Sequence, residues 1–424
     1  MTDKVQAILQ EELEAVCQKL GPDTKLAELF RNCYVSTLMT TTKKMAEDRY
    51  FVFTGDIPAM WLRDSSAQVR HYLPLAAKHE EIADIIEGLC RQQTFCILID
   101  PYANAYNEEP NWNCYRIDKT ERNAYVYERK YEIDSLCYPV QLAYLFWKTT
   151  GRTGHFTPDF HKVLQIIVDL WVCEQDHGKR SPYSFERSDC PPSDTLPCEG
   201  KGNPVVPTGM TWSGFRPSDD ACRYGYLVPS NMFAAVALGY IQEIAATIYT
   251  DATLTKKAEQ LEADIRRGIE EYAIVEHPEF GRVYAYEVDG MGGVNFMDDA
   301  NVPSLLSIPY LGYVGADDPI YQNTRRLILS KTNPYYYEGT ALKGIGSPHT
   351  PPRYVWHIAL SMQGLTASNR KEAEEMINLL IATDGETGYM HEGVFVDDPK
   401  RFTRPWFAWS NSLFSELVLK LYTS

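Results

Sequence analysis

The 424-residue chain lacks the short motifs that announce the commoner catalytic machineries. There is no HExxH, no GxGxxG after a strand pattern, no GxxxxGK(S/T) and no GxSxG, which removes support for zincins, nucleotide-dependent enzymes and serine hydrolases. Nine histidines stand singly, so the sequence announces no multi-histidine metal site, and none of the ten cysteines forms a CxxC pair. Cys190 and Cys198, in CPPSDTLPC, suit a disulfide in an oxidising compartment, but a plain loop is the preferred reading. Positive charge is in deficit: Lys+Arg 41 against Asp+Glu 57 leaves a net −16, which disfavours nucleic acid and anionic lipid as partners. No apolar run is expected to reach the roughly 18–20 residues of a membrane helix. The N-terminal stretch MTDKVQAILQEELEAVCQKL is acidic and amphipathic where an export signal is basic and then apolar, so a cytoplasmic location is expected.

What is present is helical rhythm. Apolar residues return at three- and four-residue spacing in about a dozen stretches, from VQAILQEELEAVCQKL to WFAWSNSLFSELVLKLYTS. Between them lie long segments rich in Gly, Pro, aromatics and charge, among them FVFTGDIPAMWLRDSS, GMTWSGFRPSDDACRYGY and YMHEGVFVDDPKRFTRP. Structureless loops of that length in a compact chain are usually functional. Helix alternating with long polar-aromatic loop, and no obvious linker, predicts an all-α fold: helical hairpins in a ring, one loop-built face, one domain over residues 1–424.

The loops concentrate acids, Arg and aromatics, the residue types that bind sugars, and glycosidic cleavage needs two carboxyl groups on opposite sides of the bond. Asp219 and Asp220, flanked by Arg216 and Arg223, are one candidate site, because adjacent acids in unlike surroundings have their pKa values pushed apart. The alternative is that Ser218-Asp219-Asp220 caps a helix. Glu392, in GYMHEGVF, is the second candidate, against an ordinary surface glutamate. Asp298, Asp299 and Asn301 form a third polar knot that lines a cleft or caps the following helix.

The string TGDIPAMWLRDSSAQV, Thr54 to Val69, resembles the signature of glycoside hydrolase family 125. So do KYEIDSLCYP, TGMTWSGFRPSDDACRYGYLVPSNMF, DDANVPSLLSIPYLGY, GIGSPHTPPRYVWHIAL and YMHEGVFVDDPKRFTRPWFAWSNSLF, which together cover essentially the whole chain. The resemblance implies an (α/α)6 toroid and an inverting, exo-acting α-1,6-mannosidase that uses no metal or other cofactor and acts on a mannose-containing oligosaccharide. It places the general acid in the Ser218-Asp219-Asp220 motif, Asp219 being preferred and Asp220 the alternative, and the general base on Glu392. Arg63, Asp64, Glu132, Asp134, Trp212, Asp298, His349 and Trp409 are the expected substrate contacts. Two other readings stay open: a toroidal glycosidase for another sugar such as glucose, and a glycan-binding protein without catalysis. The sequence points to no partner protein.

Overall fold

The computed structural model describes residues 2–423. Six helices form an inner ring: α3 (Leu62–Arg70), α5 (Asp134–Thr150), α7 (Val228–Ile244), the single turn α9 (Ile308–Leu311), α11 (His357–Leu365) and α13 (Ala408–Tyr422). Six lie outside: α2 (Lys25–Ser36), α4 (Glu80–Ile99), α6 (Pro158–Glu174), α8 (Ala252–Gly268), α10 (Pro319–Ile328) and α12 (Arg370–Ala382). The N-terminal α1 (Asp3–Leu20) packs on α2, and the ring closes where α13 meets α3. This is the (α/α)6 toroid.

Burial explains which helix goes where. Inner α7 reads VPSNMFAAVALGYIQEI and is buried on nearly every face, whereas outer α8, ATLTKKAEQLEADIRRG, buries one stripe, Leu254, Ala258, Leu261 and Ile265, and shows its charges to solvent. The same distinction corrects one expectation. The helical stretch Val228–Tyr249 is long and apolar enough to cross a membrane by length and composition, but residues 228–238 are all buried against neighbours of the ring, which accounts for their apolarity, and Ala246 and Thr247 face solvent.

Connections alternate in length, and this positions the site. Inner helices pass to outer ones through short links (71–79, 151–157, 245–251, 312–318, 366–369), while outer helices return through long ones (37–61, 100–133, 175–227, 269–307, 329–356, 383–407). All long connections therefore gather at one mouth, over the N-termini of the inner helices. The all-α expectation needs one amendment here, because short strands occur within these connections. They stitch neighbours together: 60–61 pairs with 105–106, 226–227 with 287–288, and 354–356 with 393–395. Single contacts join the remaining neighbours, Lys119 with Glu186, Ala300 N–H with the Gly346 carbonyl, and Gly55 with Phe407. Each loop thus satisfies backbone groups of the next, and the mouth is a closed collar. Cys190 and Cys198 are both free, as the loop reading expects.

Candidate active site

The collar surrounds a cavity of about 260 Å³, lined by the first turns of α3 and α13 and by the first, third, fourth, fifth and sixth long connections. A larger cavity of about 510 Å³ opens among the C-terminal ends of the inner helices, but its one carboxylate, Glu416, is occupied by Tyr310 Oη (2.8 Å) and Arg70 (3.3 Å). Of these two, it is the collar cavity that carries several carboxyl groups, Asp64, Asp219 and Glu392.

Its floor is built by WLRDSS, which is not loop, as the sequence suggested, but the start of α3: Trp61 is extended and Leu62 begins the helix. Arg63 and Asp64 are thereby fixed on a buried first turn, where a helix N-terminus favours negative charge. Arg63 Nη1 donates to Glu132 Oε2 (2.6 Å) and Asp134 Oδ2 (3.0 Å), its Nε lies 3.6 Å from Asp64 Oδ1, and its Nη2 lies 4.0 Å from Asp219 Oδ1. Asp64 Oδ2 accepts from Thr54 Oγ1. Burial lifts the Asp64 carboxyl above its usual range, with Arg63 and Thr54 opposing.

Asp219 enters from the third connection. Arg216 N–H donates to the Asp220 carbonyl (2.8 Å) and Asp219 N–H to the Arg216 carbonyl (2.9 Å), so residues 216–220 make a tight turn rather than a helix start, and the capping alternative falls. Asp219 sits at φ 68°, a left-handed conformation that costs a non-glycine residue roughly 1–3 kcal/mol and that the surroundings must hold. They do: Lys130 Nζ donates to the Asp219 carbonyl (2.7 Å), Asn301 Nδ2 to the Pro217 carbonyl (3.0 Å), and Ser218 Oγ to Asp299 (2.6 Å). The Asp219 side chain, 25% exposed, reaches the cavity and accepts from Asn104 Nδ2 (3.2 Å). Burial opposes its ionisation, but Lys130, Arg63 and His349 outweigh burial and hold the carboxyl below its ordinary value. Asp220 points away from the cavity; its Oδ1 lies 3.6 Å from His349 Nδ1.

Glu392 comes from the sixth connection, three places from the third in a ring of six and so across the mouth. His357 N–H donates to its carbonyl (3.3 Å), and Arg404, anchored on Asp56 (3.0 Å), stands 3.8 Å from its Oε1. Burial pushes the Glu392 carboxyl up, and Arg404 and His349 offset only part of this. His349 also lines the cavity. Burial works against its charge, but Asp220, then Asp219 and Glu392, prevail and push it up to about 9, so the imidazolium persists at neutral pH.

Arg63, Asp64, Asp219, His349, Glu392 and Trp409 thus face one cavity. Four expected contacts do not. Glu132 and Asp134 have no exposed side-chain surface and lie beneath Arg63, which they hold by accepting from its Nη1. Trp212 is a core residue, stacked on His177 with ring centroids 3.5 Å apart. Asp298 accepts from Leu305 N–H (2.8 Å) and Leu306 N–H (3.0 Å) of the loop before α9, so it neither lines the cavity nor caps that helix, which starts at Ile308; burial raises its carboxyl to about 8. Sequence reasoning missed Lys130, Asn104, Arg404 and the wall aromatics Trp61 and Trp356. Lys130 and Arg404 stand within two of the quoted strings, and their signal was a cation near each candidate acid.

A family model described as metal-independent alpha-mannosidase (GH125) matches residues 23–419. The chain is 40% identical to the meiotically up-regulated gene 157 protein of Schizosaccharomyces pombe, an alignment spanning 97% of the chain and 85% of that protein. A Streptococcus pneumoniae structure, described as a metal-independent alpha mannosidase in a non-productive complex with alpha-1,6-mannobiose, is 48% identical over 98% of both chains, with a TM-score of 0.97. A bacterial glucoamylase solved with acarbose superposes on 86% of the chain and 51% of its own length at 12% identity and a TM-score of 0.54, a likeness of fold alone.

Proposed function

Since the chain belongs to the metal-independent alpha-mannosidases of family GH125, and is thus a glycoside hydrolase, we propose that it removes single mannose residues from non-reducing, α-1,6-linked ends with inversion. The observation that carries this reading is one cavity faced by two carboxyls from opposite sides of the collar, in unlike surroundings. Its volume lies below the roughly 300–1,000 Å³ of pockets for drug-sized ligands, a size that suits one sugar ring and hence exo action. The S. pneumoniae relative's complex with alpha-1,6-mannobiose supports the sugar and the linkage. The same reading takes residues 1–424 as one catalytic domain, since the collar joins every connection to the next.

In this scheme Asp219 gives a proton to the departing glycosidic oxygen, while Glu392 takes one from a water attacking the anomeric carbon from the opposite face. A raised carboxyl suits Glu392, because a base works best when its pKa approaches the working pH. Arg63, Asp64 and His349 meet the sugar hydroxyls, and Trp409 packs against its C–H face. The test is a proton NMR time course on α-1,6-mannobiose in chelator-containing buffer: β-mannose is expected first, and α-mannose appearing first would overturn inversion.

The collar contact beside Glu392 makes a second prediction. At Gly55, φ 134°, an added Cβ would lie 2.4 Å from the Trp406 carbonyl. Gly55→Ala must displace either Asp56, which anchors Arg404, or the 406–407 segment of the cavity wall. Because small misplacements of a site are expensive, kcat/KM on an aryl α-mannoside is expected to fall about tenfold or more. Wild-type kinetics in this variant would mean that the contact does not position the site.

A further inference from the structure

Four carboxyls surround one guanidinium at the cavity floor, and their oxygens can be accounted for in turn. Asp134 Oδ2 takes Arg63 Nη1, and its Oδ1 faces Ser230 Oγ at 3.4 Å. Asp64 Oδ2 takes Thr54 Oγ1, and Asp219 Oδ1 takes Asn104 Nδ2. Glu132 Oε2 takes both Arg63 Nη1 (2.6 Å) and Ser135 Oγ (2.8 Å). Glu132 Oε1 is different: it is buried and finds no donor among the described residues. Glu132 and Asp219 flank the same guanidinium, Glu132 Oε2 2.6 Å from Nη1 and Asp219 Oδ1 4.0 Å from Nη2. Two carboxylates so close, one of them sealed from water, cannot both stay ionised. A hydrogen on Oε1 gives the orphaned atom a partner and removes the repulsion together.

We propose that Glu132 holds the proton that Asp219 delivers: Glu132 and Asp219 share one proton across a carboxyl–carboxylate hydrogen bond, and this pair is the acid of the reaction. The inference rests on Asp219 being the general acid. Glu132 touches no substrate and is a positioning residue that acts through Asp219. The charged groups facing the pair are Arg63, Asp64 and Asp134, with Lys130 and His349 beside Asp219. Burial, against Arg63 and together with Asp134 and Asp219, drives the Glu132 carboxyl well above its ordinary value, whereas Asp219 is held low, and the donorless Oε1 of Glu132 is where the shared proton rests. In the step, that proton passes to Asp219 and on to the glycosidic oxygen, which keeps the electron pair of the broken C–O bond. Water's proton goes to Glu392. When the products leave, Glu392 returns its proton to solvent and the pair takes one back.

The experiment compares Glu132→Gln, Asp219→Asn and wild type on α-1,6-mannobiose, whose leaving oxygen needs a proton, and on 2,4-dinitrophenyl α-mannoside, whose leaving group does not. Glutamine keeps the shape and can donate to Asp219 but has no proton to give up. For Glu132→Gln the expected result is a roughly 100-fold loss of kcat/KM on mannobiose, little change on the dinitrophenyl substrate, and an alkaline limb of the pH profile displaced downward by about one unit or more. Equal losses on both substrates with an unmoved limb would reduce Glu132 to a structural role and overturn the proposal. Asp219→Asn separates the premises. If it shows the leaving-group dependence and Glu132→Gln does not, this proposal alone fails; if Asp219→Asn loses equally on both substrates, Asp219 is not the acid and both readings fail. Should Glu132→Gln not fold, infrared spectra of wild-type protein with carbon-13-labelled glutamate decide: a protonated glutamic acid band is expected at neutral pH, and only ionised glutamate would overturn the proposal.

Discussion

Glu392→Gln is expected to lose roughly 10²–10⁴-fold in kcat on α-1,6-mannobiose and on 2,4-dinitrophenyl α-mannoside alike. The equality of the two losses is the informative part. A general base acts on the water, and water must be activated whichever group departs, so an activated leaving group cannot compensate for its loss. Glutamine preserves the volume beside Arg404 but cannot take a proton, and KM should change little because Glu392 is read as facing the water rather than the sugar. Truncation to Glu392→Ala opens room for a small anion that needs no deprotonation. Azide is therefore expected to restore turnover and to give β-mannosyl azide. An α-configured azide would put Glu392 on the leaving-group side and exchange the roles assigned to it and Asp219. Unchanged kinetics in both variants would remove Glu392 from the reaction.

The ring was legible in the sequence because its two signals are long-range averages: helical periodicity repeated a dozen times, and loops too long to be mere connections. The family strings also brought the candidate carboxyls to one place, since WLRDSS, PSDDACR and MHEG each put one on the same cavity. What was not legible is direction. Asp219 and Asp220 are adjacent, yet the left-handed turn at Asp219 sends one side chain into the cavity and leaves the other behind His349, a difference set by Lys130, Asn301 and Asp299 from distant segments. Trp212 failed for a similar reason. A tryptophan in a motif-rich loop reads as a sugar platform, but this connection dips beneath the collar there, and the indole fills the core against His177 and Tyr131. Asp298 shows that an acid inside a conspicuous motif can serve only backbone N–H groups. The short strands escaped notice because two- or three-residue pairings carry no periodicity to detect.

Arg63→Met is expected to destabilise the fold by about 3–5 kcal/mol at neutral pH, as well as weakening sugar binding, because the guanidinium is the shared counter-ion of a buried acidic cluster. Asp134 has no exposed side-chain surface and Asp64 has 7%, so without Arg63 the Asp134 charge meets neither a cation nor water and Asp64 keeps only Arg404. The pH dependence follows from the raised carboxyls of Glu132, Asp134 and Asp64. A carboxyl whose pKa is higher folded than unfolded binds its proton first in the native state, so stability rises as pH falls through the folded value and is complete below the ordinary carboxylate range of about 4. In Arg63→Met those carboxyls lose their main opposing cation and rise further, so the deficit should be largest at and above neutral pH and shrink on acidification. Arg63→Lys keeps the charge but not the planar fork that reaches several carboxylates at once, and should fall between. Urea unfolding at pH 5 and pH 8 checks this. A deficit independent of pH would mean that Arg63 holds the floor by packing on Trp409, 5.9 Å from its ring, rather than by charge, and an unchanged midpoint with lost activity would confine its part to the sugar.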